Sequence, residues 1–120
     1  MIALRYSDLM EFRALNREDI AIISVFGRID ANSAPDLEDA LNKCVNAGSG
    51  KLVLDLSGVE YVSSAGLRVL LSVRKRLVPL KGELVLAGLR PFVREVFDMT
   101  GFSKVFSLYK TTDDACGHFS

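Results

Sequence analysis

The stretch Lys51-Leu52-Val53-Leu54-Asp55-Leu56-Ser57-Gly58, followed shortly by Ser63-Ser64-Ala65-Gly66-Leu67-Arg68, decides how this chain folds. Lys51 to Leu56 is a short apolar run of the kind a strand covered on both faces shows, and Ser57-Gly58 is a turn dipeptide that predicts its end. Past a loop, the apolar spacing changes. Leu67, Leu70, Leu71, Leu77 and Val78 make one helical face, opposed by Arg68, Ser72, Lys75 and Arg76, and Pro79 stops the helix. A central strand leading into an amphipathic helix is the unit from which parallel sheets are built.

The flanks extend this pattern. Upstream, Met10 to Leu15 alternates with the period of a half-wet strand. The polar turn Asn16-Arg17-Glu18-Asp19 comes next, and Ile20 to Phe26 is almost wholly apolar and β-branched, with Gly27 at its end. The pair predicts an antiparallel hairpin. Ser33-Ala34-Pro35-Asp36 opens a helix, with Ser33 as N-cap and Asp36 completing a capping-box-like exchange. Leu37, Ala40, Leu41, Cys44 and Val45 form its buried stripe, and Gly48 closes it.

Downstream, Glu83 to Ala87 is a strand. Pro91 starts a third helix with Phe92, Val93, Val96 and Phe97 inward and Gly101 just past its end. Lys104 to Tyr109 predicts a last strand. Thr111-Thr112-Asp113-Asp114 resembles the capped start of one more helical turn, with too few residues after it to prevent fraying. Strands alternating with helices of about 10 to 15 residues give an α/β fold. The expectation is a mixed, mostly parallel β-sheet with an N-terminal antiparallel hairpin and three to four helices, in a single domain over residues 1–120.

Composition limits the partners. Fifteen basic residues balance fifteen acidic ones, so the chain lacks the general positive field that drives nucleic-acid or anionic-membrane binding. Met1 to Met10 carries Arg5 and Asp8, unlike the apolar core of a secretory signal. No segment reaches the roughly 18 apolar residues of a membrane span. These features predict a cytoplasmic protein with no nucleic-acid partner and no direct membrane insertion. Cys44 on a helix face and Cys116 in the tail read as reduced thiols, with neither a disulfide framework nor metal-ligand spacing.

Three groupings invite a chemical reading. Gly48-Ser49-Gly50-Lys51 lacks the upstream glycine of a phosphate-binding loop and runs from helix into strand, so it reads as an αβ turn. Val62-Ser63-Ser64-Ala65-Gly66 holds half of a nucleophile elbow. Its first glycine is missing, and the sole histidine, His118, sits near the C-terminus, which argues against a serine hydrolase. Asp30, Asp55 and Glu60 could meet as a carboxylate cluster, but turn and capping roles explain them more simply. No catalytic residue, cofactor or metal site is expected.

Ser63 and Ser64 remain, placed immediately before an amphipathic helix. One of them can serve as an ordinary N-cap, contributing about 1 kcal/mol. A phosphate there would also meet free amides and the positive end of the helix dipole. Helical steps of four lead from Ser64 to Arg68 and Ser72, so a modification at Ser64 would change an outward surface and leave the core alone.

The run Asp55-Leu56-Ser57-Gly58-Val59-Glu60-Tyr61-Val62-Ser63-Ser64-Ala65-Gly66-Leu67 resembles the signature of the STAS-domain anti-sigma factor antagonists of bacteria. Gly27-Arg28-Ile29-Asp30-Ala31 looks like the family's turn before the first helix. Arg94-Glu95-Val96-Phe97-Asp98-Met99-Thr100-Gly101-Phe102 resembles its third-helix motif. The resemblance spans about residues 10 to 114.

It implies a STAS fold and a partner-switching regulator. Unphosphorylated, such a protein binds an anti-sigma factor that is itself a serine kinase; phosphorylation ends the contact, and a serine phosphatase restores it. Aligned on Gly66, the phosphoacceptor is Ser64, with Ser63 as secondary candidate. The implied partner-binding residues are Asp30, Ser63, Ser64, Ala65, Gly66, Arg68 and Ser72. Ser63 stands where the family carries Asp, Ala65 where it carries a second hydroxyl, and Arg68 where glycine is frequent. The departures at Ser63 and Ala65 motivate an alternative, a constitutive STAS scaffold subunit of a lipid transporter or stressosome-like complex. A small Ser64-dependent enzyme is the third reading.

Overall fold

The computed structural model describes the backbone of Ile2–Ser7 and all of residues 10–120; Met1, Asp8 and Leu9 lie outside the described residues, with the part of the N-terminal reading that rests on them. Among the described residues six strands form one sheet in sequence order: β1 (Ile2–Ser7), β2 (Met10–Arg17), β3 (Ile20–Ile29), β4 (Lys51–Val62), β5 (Glu83–Ala87) and β6 (Leu108–Tyr109). β1, β2 and β3 pair antiparallel, and β3 through β6 pair parallel. The antiparallel hairpin of β2 and β3 is as the alternation predicts. β1 adds an edge strand beyond the hairpin that the alternation predicts.

The four helices of the described residues, α1 (Ala34–Asn46), α2 (Ser64–Leu77), α3 (Pro91–Thr100) and α4 (Thr112–Gly117), divide unequally between the two faces of the sheet. On one face, Ala21, Ile23 and Val25 of β3, Leu52 and Leu54 of β4 and Leu84 and Leu86 of β5 pack with Leu37 and Leu41 of α1, Leu70 and Val73 of α2, and Val93 and Phe97 of α3. The alternate residues Ile20, Ile22, Val53, Val85 and Ala87 meet Ala115 and Cys116 of α4 on the other face. This is the period of two that a doubly covered parallel sheet requires. Cys116 is therefore only 7% exposed and belongs to a core, contrary to its placement in a loose tail. Thr111 caps α4 by accepting from the Asp114 amide at 3.1 Å. Among the described residues no helix is long and apolar enough to cross a membrane.

β4 departs most from the sequence expectation. It does not end at Ser57-Gly58 but continues to Val62, because two bulges absorb what reads as a turn. Between the pairs Ser24–Asp55 and Phe26–Gly58, β3 advances two residues while β4 advances three; between Gly27–Val59 and Arg28–Tyr61, one stands against two. Each bulge inserts one residue, so Leu56, Val59 and Val62 all return to the helix-side core at a spacing of three. Gly58 is required at the first bulge, since a Cβ there would run into the Phe26 ring and come to 2.9 Å from the Val25 carbonyl oxygen.

Other boundaries shift for local reasons. β3 passes through Gly27 at φ +107° and ends at Ile29. Ser33 occupies the N-cap position of α1 but makes no capping bond, so the capping box with Asp36 is absent. Its hydroxyl turns back to accept from the Asp30 amide at 2.9 Å and donate to the Arg28 carbonyl at 2.8 Å. Val78 is 60% exposed, in a 3₁₀ turn beyond α2, and Phe92 is 58% exposed because Val93 and Phe97 carry the buried side of α3. Lys104 to Tyr109 is mostly not strand. Phe102 and Phe106 fold in toward Phe97, with ring centroids 6.2 Å apart in each successive pair, leaving only Leu108–Tyr109 to reach the sheet.

Candidate functional site

The start of α2 is fixed to the end of β3. Val62 pairs with Ile29 in the ladder, and the next amide, that of Ser63, donates to the Ile29 carbonyl at 2.8 Å. No loop separates strand from helix, contrary to the sequence expectation, because the bulged strand delivers the chain directly to the cap. Ser63 is extended (φ −94°, ψ 170°), and its hydroxyl accepts from the Gly66 amide at 3.3 Å, satisfying one of the helix's orphan donors.

Gly66 is buried, and its lack of a side chain lets the first turn of α2 lie against Ile29. Ala65 packs at the edge of the same core. Ser63, Ala65 and Gly66 therefore set the position of the helix end. Ser64 is the first helical residue and is exposed. Among the described residues its hydroxyl has no hydrogen-bond partner.

Below Ser64 runs the expected outward stripe. Arg68 and Ser72 are exposed, and with Leu71, Lys75 and Arg76 they line a shallow groove. The Arg68 side chain folds toward the helix start, its Nε 3.4 Å from the Ser64 carbonyl oxygen. α2 carries Arg68, Arg74, Lys75 and Arg76 and no acidic residue, within a chain of zero net charge. Arg76 is committed elsewhere: its two terminal nitrogens donate to Asn42 and Asn46 of α1, each at 2.7 Å.

Asp30 lies in the turn after β3, next to the Ile29 carbonyl that anchors Ser63. Its Oδ1 accepts from the amides of Asn32 at 2.9 Å and Ser33 at 3.1 Å. The hydrogen bond from the Ser33 amide, ahead of that from Asn32, holds this carboxyl below its usual range. Asp55 and Glu60 do not join it. Asp55 sits mid-strand, accepting from the Ser24 hydroxyl and the Ser57 amide, and Glu60 is exposed on β4.

The structure separates Ser64 from His118. Nε2 of His118 lies 2.9 Å from Glu83, which is level with Lys51 at the beginning of β4, whereas Ser64 follows the end of that strand. A serine–histidine couple of the kind hydrolysis needs is not formed here. Gly48 to Lys51 is the αβ turn expected, with Gly48 at φ +91°. Burial pushes the Cys44 thiol up, which makes it a poor nucleophile.

Two contributors were not legible as site residues. Ile29 supplies both the anchoring carbonyl and the side chain that Gly66 rests on; a glycine in the first turn of a helix is the one sequence signal of such a close approach. Arg28 lies over the Tyr61 ring, 4.4 Å from its centroid, linking the ends of β3 and β4 beside the site.

A mixed sheet in this strand order, with a capped helix presenting an exposed serine from its first turn, defines a class. The STAS domain family matches residues 11–115, and the chain belongs to it. Among its relatives are anti-sigma factor antagonists. The chain is 40% identical over 102 residues to BtrV of Bordetella bronchiseptica, a candidate anti-sigma factor antagonist, covering 85% of this chain and 88% of that protein. It is 30% identical over 109 residues to the anti-sigma-F factor antagonist RsfB of Mycobacterium tuberculosis, covering 90% and 88%. The crystal structure of an anti-sigma factor antagonist from Mycobacterium paratuberculosis superposes with a TM-score of 0.85 at 33% identity, covering 96% of this chain and 97% of that one.

Proposed function

We propose that this protein is an anti-sigma factor antagonist, a single STAS domain that works in the cytoplasm by partner switching. Unphosphorylated, it binds an anti-sigma factor that is also a serine kinase, and phosphorylation of Ser64 ends the complex. The observation that carries this reading is the division of labour between the two serines. Ser63 accepts the capping bond from the Gly66 amide, whereas the Ser64 hydroxyl, on the helix's first residue, is exposed and has no hydrogen-bond partner among the described residues. Ser64, Arg68 and Ser72 form the exposed part of the contact surface, with the Asp30 turn beside them; Ser63, Ala65 and Gly66 hold that surface in place.

The partner supplies the chemistry. The Ser64 oxygen bonds to the γ-phosphorus of ATP as the β–γ bridging bond breaks; ADP leaves, and the hydroxyl proton passes to the kinase's base. A phosphate adds about −1.5 to −2 charge to a surface that must be desolvated in the complex. About 3 kcal/mol of repulsion and desolvation weakens binding more than a hundredfold. A serine phosphatase reverses the switch, and no step requires a catalytic group on this chain.

Incubation with the cognate kinase and ATP followed by peptide mass spectrometry tests the assignment. Phosphate on Ser64 and no labelling of Ser64→Ala is the expected result. A Ser64→Ala protein labelled as well as the parent overturns it, and label on Ser63 moves the switch one residue back.

A further inference from the structure

We propose that Arg68 is a built-in clamp for phosphorylated Ser64, closing an ion pair within α2 that withdraws the guanidinium from the partner-facing stripe. The inference rests on the reading of Ser64 as phosphoacceptor and adds what happens to the phosphate once it is there.

The geometry is already set for such a pair. Ser64 and Arg68 are four residues apart, so they stand one above the other on the helix surface. An anion N-terminal to a cation at this spacing is the favourable orientation. The Arg68 head also lies toward the helix start before any phosphate arrives, with Nε 3.4 Å from the Ser64 carbonyl oxygen. That bond is long and weak, so giving it up costs little. Both residues are exposed, and the phosphate oxygens can take the fork of guanidinium donors without moving the backbone.

Competition for Arg68 is slight. α2 carries no acidic residue, and among the described residues Arg68 has no carboxylate within salt-bridge distance. The charged groups on the neighbouring elements are already engaged or aimed elsewhere. Asp30 is bonded to the amides of its own turn, Arg28 lies on Tyr61, Arg90 donates to the Ser57 carbonyl at 2.8 Å, and Arg76 is held by two asparagines of α1. Glu60 is exposed on β4 and Lys75 is exposed further along α2. Arg68 is thus the cation placed to answer a charge at Ser64. Phosphorylation would then alter the stripe at two places, adding an anion at 64 and cancelling a cation at 68.

The test places phosphoserine at position 64 of the full chain by genetic encoding and follows its second ionisation by ³¹P NMR. A free phosphoserine titrates near pH 6. Arg68→Gln should raise the midpoint by about half a pH unit relative to the parent. Arg68→Lys should recover part of the difference, Lys75→Gln should leave the midpoint where it was, and about 1 M salt should erase the Arg68 effect. An Arg68→Gln protein that titrates with the parent overturns the clamp. Because the phosphate is installed without the kinase, this outcome is independent of the labelling experiment, whose failure would instead overturn Ser64 as acceptor.

Discussion

Gly66 lies so close to Ile29 that a Cβ on it would come within 2.5 Å of the Ile29 Cγ2. The neighbour is a β-branched side chain with 0% exposure, unable to swing away. Gly66→Ala therefore gains helix propensity but loses more to overpacking, for a net cost of about 1–3 kcal/mol in thermal or denaturant unfolding. The double variant Gly66→Ala/Ile29→Ala should cost less than the sum of the two single changes, the signature of a direct clash. Additive costs would show that the contact does not set the position of α2.

Ser33 is 2% exposed and the only polar residue in the buried set of the described residues. Ser33→Ala leaves the Asp30 amide and the Arg28 carbonyl without their partner, a loss of about 1–3 kcal/mol. A change below 0.5 kcal/mol in chemical denaturation would mean that other groups take over those bonds.

The Asp30 carboxyl is held below its ordinary value of 3.8, chiefly by the Ser33 amide. Since the folded value is lower than the unfolded one, its contribution is fully present above pH 3.8 and is lost as pH falls through the folded value. Asp30→Asn should remove part of the acid limb of the stability–pH curve below that point. The parent and variant curves, measured by urea unfolding from pH 2 to pH 7, should converge at the acid end and separate above it.

His118 joins α4 to the sheet, with Nδ1 2.7 Å from the Tyr109 hydroxyl and Nε2 2.9 Å from Glu83. His118→Ala loses about 1 kcal/mol from local closure of α4, which corresponds to roughly fivefold faster labelling of the buried Cys116 thiol in a Cys44→Ser background. Unchanged labelling kinetics would show that the packing of Ala115 and Cys116, with the Arg17–Asp113 ion pair, suffices to hold α4 down.

Much of this architecture is legible from apolar spacing. Ile20 to Phe26 and Lys51 to Leu56 read as buried strands and Glu83 to Ala87 as a strand, and the structure covers both faces of all three. The second half of β4 was not legible, because Ser57-Gly58 carries the chemistry of a turn and the two bulges replace a period of two by one of three. That failure also hid the direct passage from strand to cap. β6 was overread because Phe106 is as apolar as a strand residue but packs with Phe97 and Phe102. At the site, Ser64, Arg68 and Ser72 were placed on their stripe by helical counting alone. Which serine caps α2 was open in the sequence, and the Ser63–Gly66 hydrogen bond assigns it.

The affinity of the protein for its cognate anti-sigma factor, measured by calorimetry before and after kinase treatment, reads the switch itself. Tight binding by the unphosphorylated protein, at least a hundredfold weaker binding once Ser64 carries phosphate, and a Ser64→Ala variant that stays tight after treatment are the expected results. Equal affinity of the phosphorylated and unphosphorylated proteins would contradict the switch.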